Sequence, residues 1–301
     1  MIGGTGFISG TIVRCAIESG HSVSIVTRGR KPTSPGAVCA MKVDRKDERA
    51  FEACLDRNRR TWDAVIDCVC FDADDARQDV RLFHRRAHRL VFISTDFVYD
   101  RTAKRVPHDE SGPFTSMPGY GFRKRAAELV LQDTSPAGLA WTIFRPGHVY
   151  GPGSLLGCLP RHSRDASLLE RIAAGQSISL VNGGRYLQQP IFAADLAALI
   201  LSSVTNSRSV GEIYDAPGAD IILTRDYYDR IAWELGVQLS VGDIGEDEHL
   251  ALKPEDAPFL CHRVYGNEKP RTHKLAVAST PFRDGLKVHV ESLRSEKAIS
   301  R

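Results

Sequence analysis

Apolar residues fall in short runs separated by amphipathic stretches, and the spacing changes from run to run. Phe7 to Ser19 reads as a helix ending at Gly20, and Ser22 to Thr27 as a strand. Val38 to Val43 reads as a weaker strand, Lys46 to Asn58 as a helix, and Ala64-Val65-Ile66 as a strand. Ala73 to Arg86 (helix), Leu90 to Ile93 (strand), Tyr120 to Leu131 (helix) and Trp141 to Phe144 (strand) continue the series. Strands alternating with helices predict βαβ units joined by right-handed crossovers: an α/β, doubly wound parallel sheet. After Tyr150-Gly151-Pro152-Gly153 the pattern loosens into helical stretches near Leu168 to Ala174, Ala193 to Val204 and Arg225 to Leu235, with short strands and Gly/Pro turns between them. A core over residues 1–150 and a smaller lobe over 151–301, with some elements returning to the core, follow from this. The basic tail from Leu293 to Arg301 is expected to fray.

The first candidate for chemistry stands at the start of the chain. Gly3-Gly4-Thr5-Gly6-Phe7-Ile8-Ser9-Gly10 opens the first helix, and glycine there lets the backbone turn tightly and approach a pyrophosphate, whose charge the helix N-terminus meets. Such a turn normally follows a first β-strand, yet only Met1 and Ile2 precede it. The first strand therefore reads as truncated, with a native start expected upstream of Met1, because a missing central strand would leave its neighbours unpaired. After the second strand an acidic residue would hydrogen-bond the ribose hydroxyls of NAD. The chain has Thr27-Arg28-Gly29-Arg30-Lys31, and Arg28 suits the 2′-phosphate of NADP, so NADP is favoured over NAD.

Tyr120 and Lys124 are four residues apart and project from one helix face. A phenol has a pKa of about 10 and becomes a useful acid/base only when nearby positive charge favours its phenolate. Phe92-Ile93-Ser94-Thr95-Asp96-Phe97 is a buried strand ending in hydroxyls, and Thr95 there can hold the same substrate oxygen as Tyr120, or simply cap a turn.

Charge and cysteine content narrow the classes. Forty Lys plus Arg against 37 Asp plus Glu give +3, too balanced to require a nucleic-acid partner. Seven cysteines with no CxxC pair, and scattered histidines, predict reduced thiols in a cytoplasmic protein and no metal site. No stretch is long and apolar enough for a membrane span, and with Met1 running directly into Ile2-Gly3-Gly4 no signal peptide is expected. Arg77, Arg81, Arg85 and Arg89, with His84 and His88, form a basic stripe at helical spacing. Its readings are a solvated or subunit-facing helix surface, or phosphate-backbone binding.

Together these segments resemble the extended short-chain dehydrogenase/reductase family, in particular its NAD-dependent epimerase/dehydratase branch. The matching segments are Gly3 to Ile8, Ser94 to Tyr99, Tyr120 to Lys124, Arg145-Pro146-Gly147-His148-Val149-Tyr150-Gly151-Pro152-Gly153 and Gln189 to Ala197, in the family's order. The resemblance implies a Rossmann-type dinucleotide-binding core and a substrate-binding lobe. It implies that Gly3, Gly6, Phe7 and Ile8 bind the cofactor's pyrophosphate region and that Asp44 reaches the adenine amine. Pro146 and Val149 would border the nicotinamide, Lys124 would hold its ribose, and Tyr120, Lys124 and Thr95 would form the catalytic set. Asp96, His148, Arg185 and Gln188 fall at substrate positions.

The departures are informative. Phe97 stands where the sugar 4,6-dehydratases carry a glutamate, His148 where nucleotide-sugar enzymes usually carry an asparagine, and Gln188 where an arginine grips the diphosphate, with Arg185 one turn earlier as a partial substitute. The expectation is an NAD(P)-dependent epimerase/oxidoreductase transferring hydride at a secondary alcohol of a sugar-like or nucleotide-sugar substrate, as a homodimer formed through the basic-stripe and Tyr120 helices. The alternatives are an NADPH-dependent ketone reductase and a non-catalytic nucleotide-sensing or RNA-binding protein of the same fold.

Overall fold

Strands alternating with helices account for most of the first half. The computed structural model describes residues 1–33, 39–58, 60–102 and 106–299. Its core runs α1 (Phe7–Glu18), β1 (Ser24–Thr27), β2 (Cys39–Lys42), α2 (Glu48–Asn58), β3 (Val65–Asp67), α3 (Ala73–Phe83), β4 (Arg89–Ile93), α4 (Tyr120–Gln132) and β5 (Ala140–Pro146). The strands pair in parallel, Ile25 opposite Ala40, Ile66 opposite Val91 and Phe92 opposite Ile143, and the later strand Glu212–Ala216 closes the row beside β5. Helices cover both faces, so β1, β3 and β4 are buried at every residue. On one face Phe51, Leu55, Phe83, Ala127 and Leu131 form the core; on the other Ile12, Leu196 and Ile200 pack on Val91 and Phe144.

The centre of the sheet is the short stretch Met1–Gly3. Ile2 bridges Val26 on one side and Asp67 on the other. Its N–H donates to the Ile66 carbonyl at 2.9 Å, the Gly3 N–H to the Val26 carbonyl at 2.9 Å, and the Val26 N–H to the Met1 carbonyl at 2.8 Å. Three residues thus suffice to join β1 and β3 where the glycine turn begins. In line with them, beyond Met1, a cavity of about 410 Å³ opens between Ser22–Ser24 and Thr61–Ala64.

The lobe has its own core, Tyr150, Leu168, Ile172, Ile178, Tyr227, Ile231 and Leu286 among its members. It is built from the parallel pair Ile178–Val181 and Val241–Ile244 and the helices Thr224–Leu235 and Phe282–Ile299. The last of these runs through much of the tail expected to fray, because Leu286, Val290 and Leu293 bury one face of it.

The basic stripe is not a helix face. Helix α3 stops at Phe83, and Arg89 lies in β4, 6% exposed, donating to the hydroxyl of Ser209 and to the carbonyl of Ser203. Arg77 pairs with Asp74, Arg81 with Glu48 and Glu52, and Arg86 with Asp56. Helical spacing in the sequence grouped residues that belong to two different elements. The first residue of the expected second strand, Val38, lies outside the described residues.

Candidate active site

The C-terminal ends of β1, Met1–Gly3 and β3 open onto a cavity of about 600 Å³. Gly3, Gly6, Phe7 and Ile8 form its floor. Gly3 and Gly4 hold φ of 101° and 105°, a region open to glycine, and a Cβ on Gly4 would come within 2.8 Å of Ile25 Cγ2. The chain therefore passes close beneath the cavity and delivers the N-terminus of α1 to it, with Ser9 Oγ accepting the Gly6 N–H at 3.1 Å. Backbone donors at a helix start, bare of side chains and facing an open space, fit a pyrophosphate.

Positive charge rings the other end of this cavity. Arg28, Arg30 and Lys31 follow β1, and Asp44, Arg45 and Lys46 follow β2. Arg45 is committed: its guanidinium is buried against Asp67 and Asp79, donates to the Asp75 carbonyl at 2.8 Å, and holds its proton far above neutral pH. Asp67, Cys70 and Asp79 gather within 4.8 Å of one another, and Arg45 is the cation they share. Lys46 is tied to Asp75 at 2.6 Å. Asp44 is exposed on the wall, its carboxylate accepting the Lys46 N–H at 3.0 Å. Arg28, Arg30 and Lys31 carry no ion pair among the described residues.

Tyr120 opens α4, and its phenol lies within the field of Arg164, which lines this cavity. The close approach has one cause in the sequence: Gly121, where a Cβ would fall 1.9 Å from the Phe97 carbonyl oxygen, lets the first turn of α4 lie against the turn that follows β4. Tyr120 is 41% exposed, with its ring edge-on to Phe97 at 6.0 Å. Burial of the phenol end and the nearby Asp96 carboxylate raise its pKa above the ordinary value, while Arg164 and Arg123 pull it down. Lys124 lies one turn on, 1% exposed. Its ammonium donates to the carbonyls of Ile93 at 2.6 Å and Cys70 at 2.8 Å and sits 4.2 Å from the Phe92 ring centre; burial lowers its pKa. The phenol thus sits above its usual pKa because burial and the Asp96 carboxylate outweigh the arginines near it.

Thr95 is buried and takes the capping role: its Oγ1 accepts the Phe97 N–H at 3.3 Å, and the hydroxyl lies 3.4 Å from Asp96 Oδ1. Asp96 is 5% exposed and ion-paired with Arg263, and its Oδ2 accepts the Tyr265 hydroxyl at 2.6 Å. That carboxylate is engaged rather than free. Arg263 also stacks on Phe97, 4.6 Å from its ring centre, and Phe97 packs on Phe259 at 5.4 Å.

The remaining predicted positions divide. Pro146 ends β5, and Val149 is buried in the apolar core between Phe144 and Ile191. His148 packs edge-on to Tyr227 at 5.6 Å with its Nε2 shielded and unpartnered. Burial first, then the charges of Arg164, His289 and Arg263, take its pKa down to about 3, so it is a neutral imidazole. Gln188 is 1% exposed and donates to Thr224 Oγ1 at 3.3 Å. Arg185 is exposed, reaches Asn182 Oδ1 at 3.4 Å and does not line the cavity. Gln188 is thus held inside the fold, and Arg185 lies outside the glycine-turn cavity.

Three residues that the motifs did not reveal complete the site. Arg263 neutralises Asp96, Arg164 reaches the cavity from the lobe, and Glu128 fixes α4. The fully buried Glu128 accepts from Ser94 Oγ at 2.6 Å and from both Arg145 Nε at 2.9 Å and Nη2 at 2.7 Å, tying the helix of Tyr120 to β4 and β5. Only Glu128 carried a signal, as a lone acid on the inner face of α4 two turns after Tyr120.

Known proteins resemble this chain in sequence and in fold. The model of the NAD dependent epimerase/dehydratase family matches residues 1–216. The 2′-dehydrokanamycin reductase of Streptomyces kanamyceticus is 26% identical over 261 residues, 86% of this chain and 72% of that protein. The chloroplast stem-loop binding protein of 41 kDa b, from Arabidopsis thaliana, is 26% identical over 235 residues, but the match spans only 58% of that protein and 72% of this chain. Among solved structures, UDP-glucose 4-epimerase of Thermotoga maritima with UDP-glucose superimposes with a TM-score of 0.77 over 98% of both chains at 17% identity, a likeness of fold.

Proposed function

The chain belongs to the NAD dependent epimerase/dehydratase family, and from that premise we propose that it is an NAD(P)-dependent oxidoreductase that reduces a ketone on a sugar-like substrate to a secondary alcohol. What supports this reading is Tyr120 on the first turn of α4, whose phenol feels the charges of Asp96, the neighbour of Thr95, and of Arg164, which lines the glycine-turn cavity. The bound nicotinamide would supply the hydride. Tyr120 would supply the proton, and a phenol held above its ordinary pKa is protonated at neutral pH and ready to donate to a ketone oxygen. Lys124 spends two of its three N–H donors on the Ile93 and Cys70 carbonyls; the third is available for a ribose hydroxyl. Thr95 would hold the substrate oxygen once its hydroxyl turns from Asp96.

Reduction is placed ahead of epimerisation, the first expectation, for two reasons. Arg28, Arg30 and Lys31 ring the adenosine end of the cavity, suiting the 2′-phosphate of NADP, which typically serves reduction. Gln188, at the position of the diphosphate arginine, is neutral and buried against Thr224, which favours a substrate without a nucleotide diphosphate. A relative named for reducing a 2′-dehydro compound supports the same direction. Dehydration is disfavoured because Phe97, at the glutamate position, is packed between Tyr120 and Phe259. An RNA-binding role finds less support, since Arg77 and Arg81 of the proposed stripe are ion-paired and Arg89 is buried. Phe122 and Leu129, seven residues apart on α4, are 46% and 45% exposed and support a second copy packing there as a homodimer.

The test is turnover of the purified full chain with a panel of ketosugars, following reduced nicotinamide and product together. Consumption of one NADPH per alcohol formed, lost about 10²–10⁴-fold in Tyr120→Phe, is the expected result. An isomerised product with no net cofactor change would establish the epimerase instead.

A further inference from the structure

Arg164 belongs to the lobe, yet it lines the cavity whose floor is the glycine turn. The loop from Gly151 to Ser167 that carries it passes directly over that turn: a Cβ on Gly153 would stand 3.7 Å from the Phe7 ring. The loop is framed from within the lobe. Tyr227 Oη accepts the Gly157 N–H at 3.3 Å, and Tyr228 Oη accepts the Cys158 N–H at 3.0 Å and donates to the Cys158 carbonyl at 2.8 Å. Gly157, at φ 117°, lies so close to the returning strand of the loop that a Cβ would overlap the His162 carbonyl oxygen. On the other side of Arg164 the Asp165 N–H donates to the Leu156 carbonyl at 2.8 Å, and its carboxylate takes Arg171 and the Ser167 hydroxyl.

Held between these anchors, Arg164 adopts φ 52°, a left-handed conformation uncommon for a residue with a side chain. Its own side chain is exposed and makes no ion pair or hydrogen bond among the described residues, in contrast to Arg45, Arg145 and Arg263, which are all committed. A strained, framed backbone thus presents one uncommitted guanidinium to the cavity.

We propose that Arg164 clamps the pyrophosphate of the bound dinucleotide from the lobe side, opposite the N–H groups of the glycine turn, so that cofactor release is coupled to the lobe. The inference rests on the dinucleotide reading of the cavity. The planar fork of a guanidinium matches two phosphate oxygens, and the glycine turn supplies backbone donors only, with no cationic side chain of its own. The charge also lies close enough to Tyr120 and His148 to pull both pKa values down.

The test is titration of wild type, Arg164→Gln and Arg164→Lys with NADPH by its fluorescence, with stopped-flow chase for the release rate and 2′-AMP as a pyrophosphate-free probe. Arg164→Gln is expected to weaken NADPH about tenfold, mainly through faster release, with Lys recovering part of the loss and 2′-AMP binding unchanged. NADPH affinity and release within about twofold of wild type in the folded Gln variant would overturn the clamp, as would an equal loss for 2′-AMP, which would mark a general field effect. Wild-type protein that binds neither NADPH nor NADH would remove the cavity reading itself, and the clamp with it.

Discussion

Asp96 and Tyr120 meet the same small space and are treated differently by it. The phenol stays partly in solvent and protonated, while the carboxylate is buried against Arg263 and Tyr265. A short motif announced Asp96 as an acid near the chemistry, but its partner lies 167 residues away in the chain, on a segment with no motif of its own. Local sequence showed the group and could not show what neutralises it. The pairing predicts the cost of losing it: Asp96→Asn leaves the Arg263 guanidinium buried and uncompensated and should destabilise the fold by about 3–5 kcal/mol, measured by urea denaturation. A loss near zero would mean that Asp96 is solvated and free for the reaction.

Among the elements α4 matters most, and two of its residues set its position. Gly121 allows contact with Phe97, and Glu128 ties the helix to Ser94 and Arg145. Gly121→Ala should therefore push Tyr120 away from Thr95, lowering turnover steeply and stability by about 1–3 kcal/mol while leaving NADPH affinity near wild type, since the glycine turn lies elsewhere; calorimetry and titration read both. The helix and its tyrosine were legible from spacing because amphipathic periodicity is a local property. The basic stripe was misread for the same reason: period alone cannot tell that α3 ends at Phe83 and that Arg89 continues as a strand. Core strands showed as apolar runs, whereas the lobe pair Ile178–Val181 and Val241–Ile244 joins segments too short and distant to show as a pair.

At the scale of the whole molecule, the glycine turn and the order of the core elements were visible in the chain, since each follows from local pattern. The closure of the sheet by only Met1–Gly3, and the reach of a lobe arginine into the core cavity, depend on packing and were not. The lobe also carries a pH signature. His148, His162 and His289 are held neutral mainly by burial, His148 falling from 6.5 to about 3. For His148 the depressed folded pKa gives stability that is complete above pH 6.5 and is lost as pH falls from 6.5 toward 3, because the unfolded chain then binds the proton first, at about 1.4 kcal/mol per pH unit; His162 and His289 add in the same direction. The melting temperature should therefore fall below pH 6.5 more steeply in wild type than in His148→Gln; parallel profiles would show the imidazole to be solvated. The central claim, a tyrosine facing a dinucleotide across the sheet's C-terminal edge, is tested most directly by a crystal structure of the full chain grown with NADPH. The account predicts the pyrophosphate over Gly6 and Phe7, the 2′-phosphate beside Arg28, and the nicotinamide within reach of the Tyr120 hydroxyl. A cavity filled by protein, or a nicotinamide bound away from Tyr120, would contradict it.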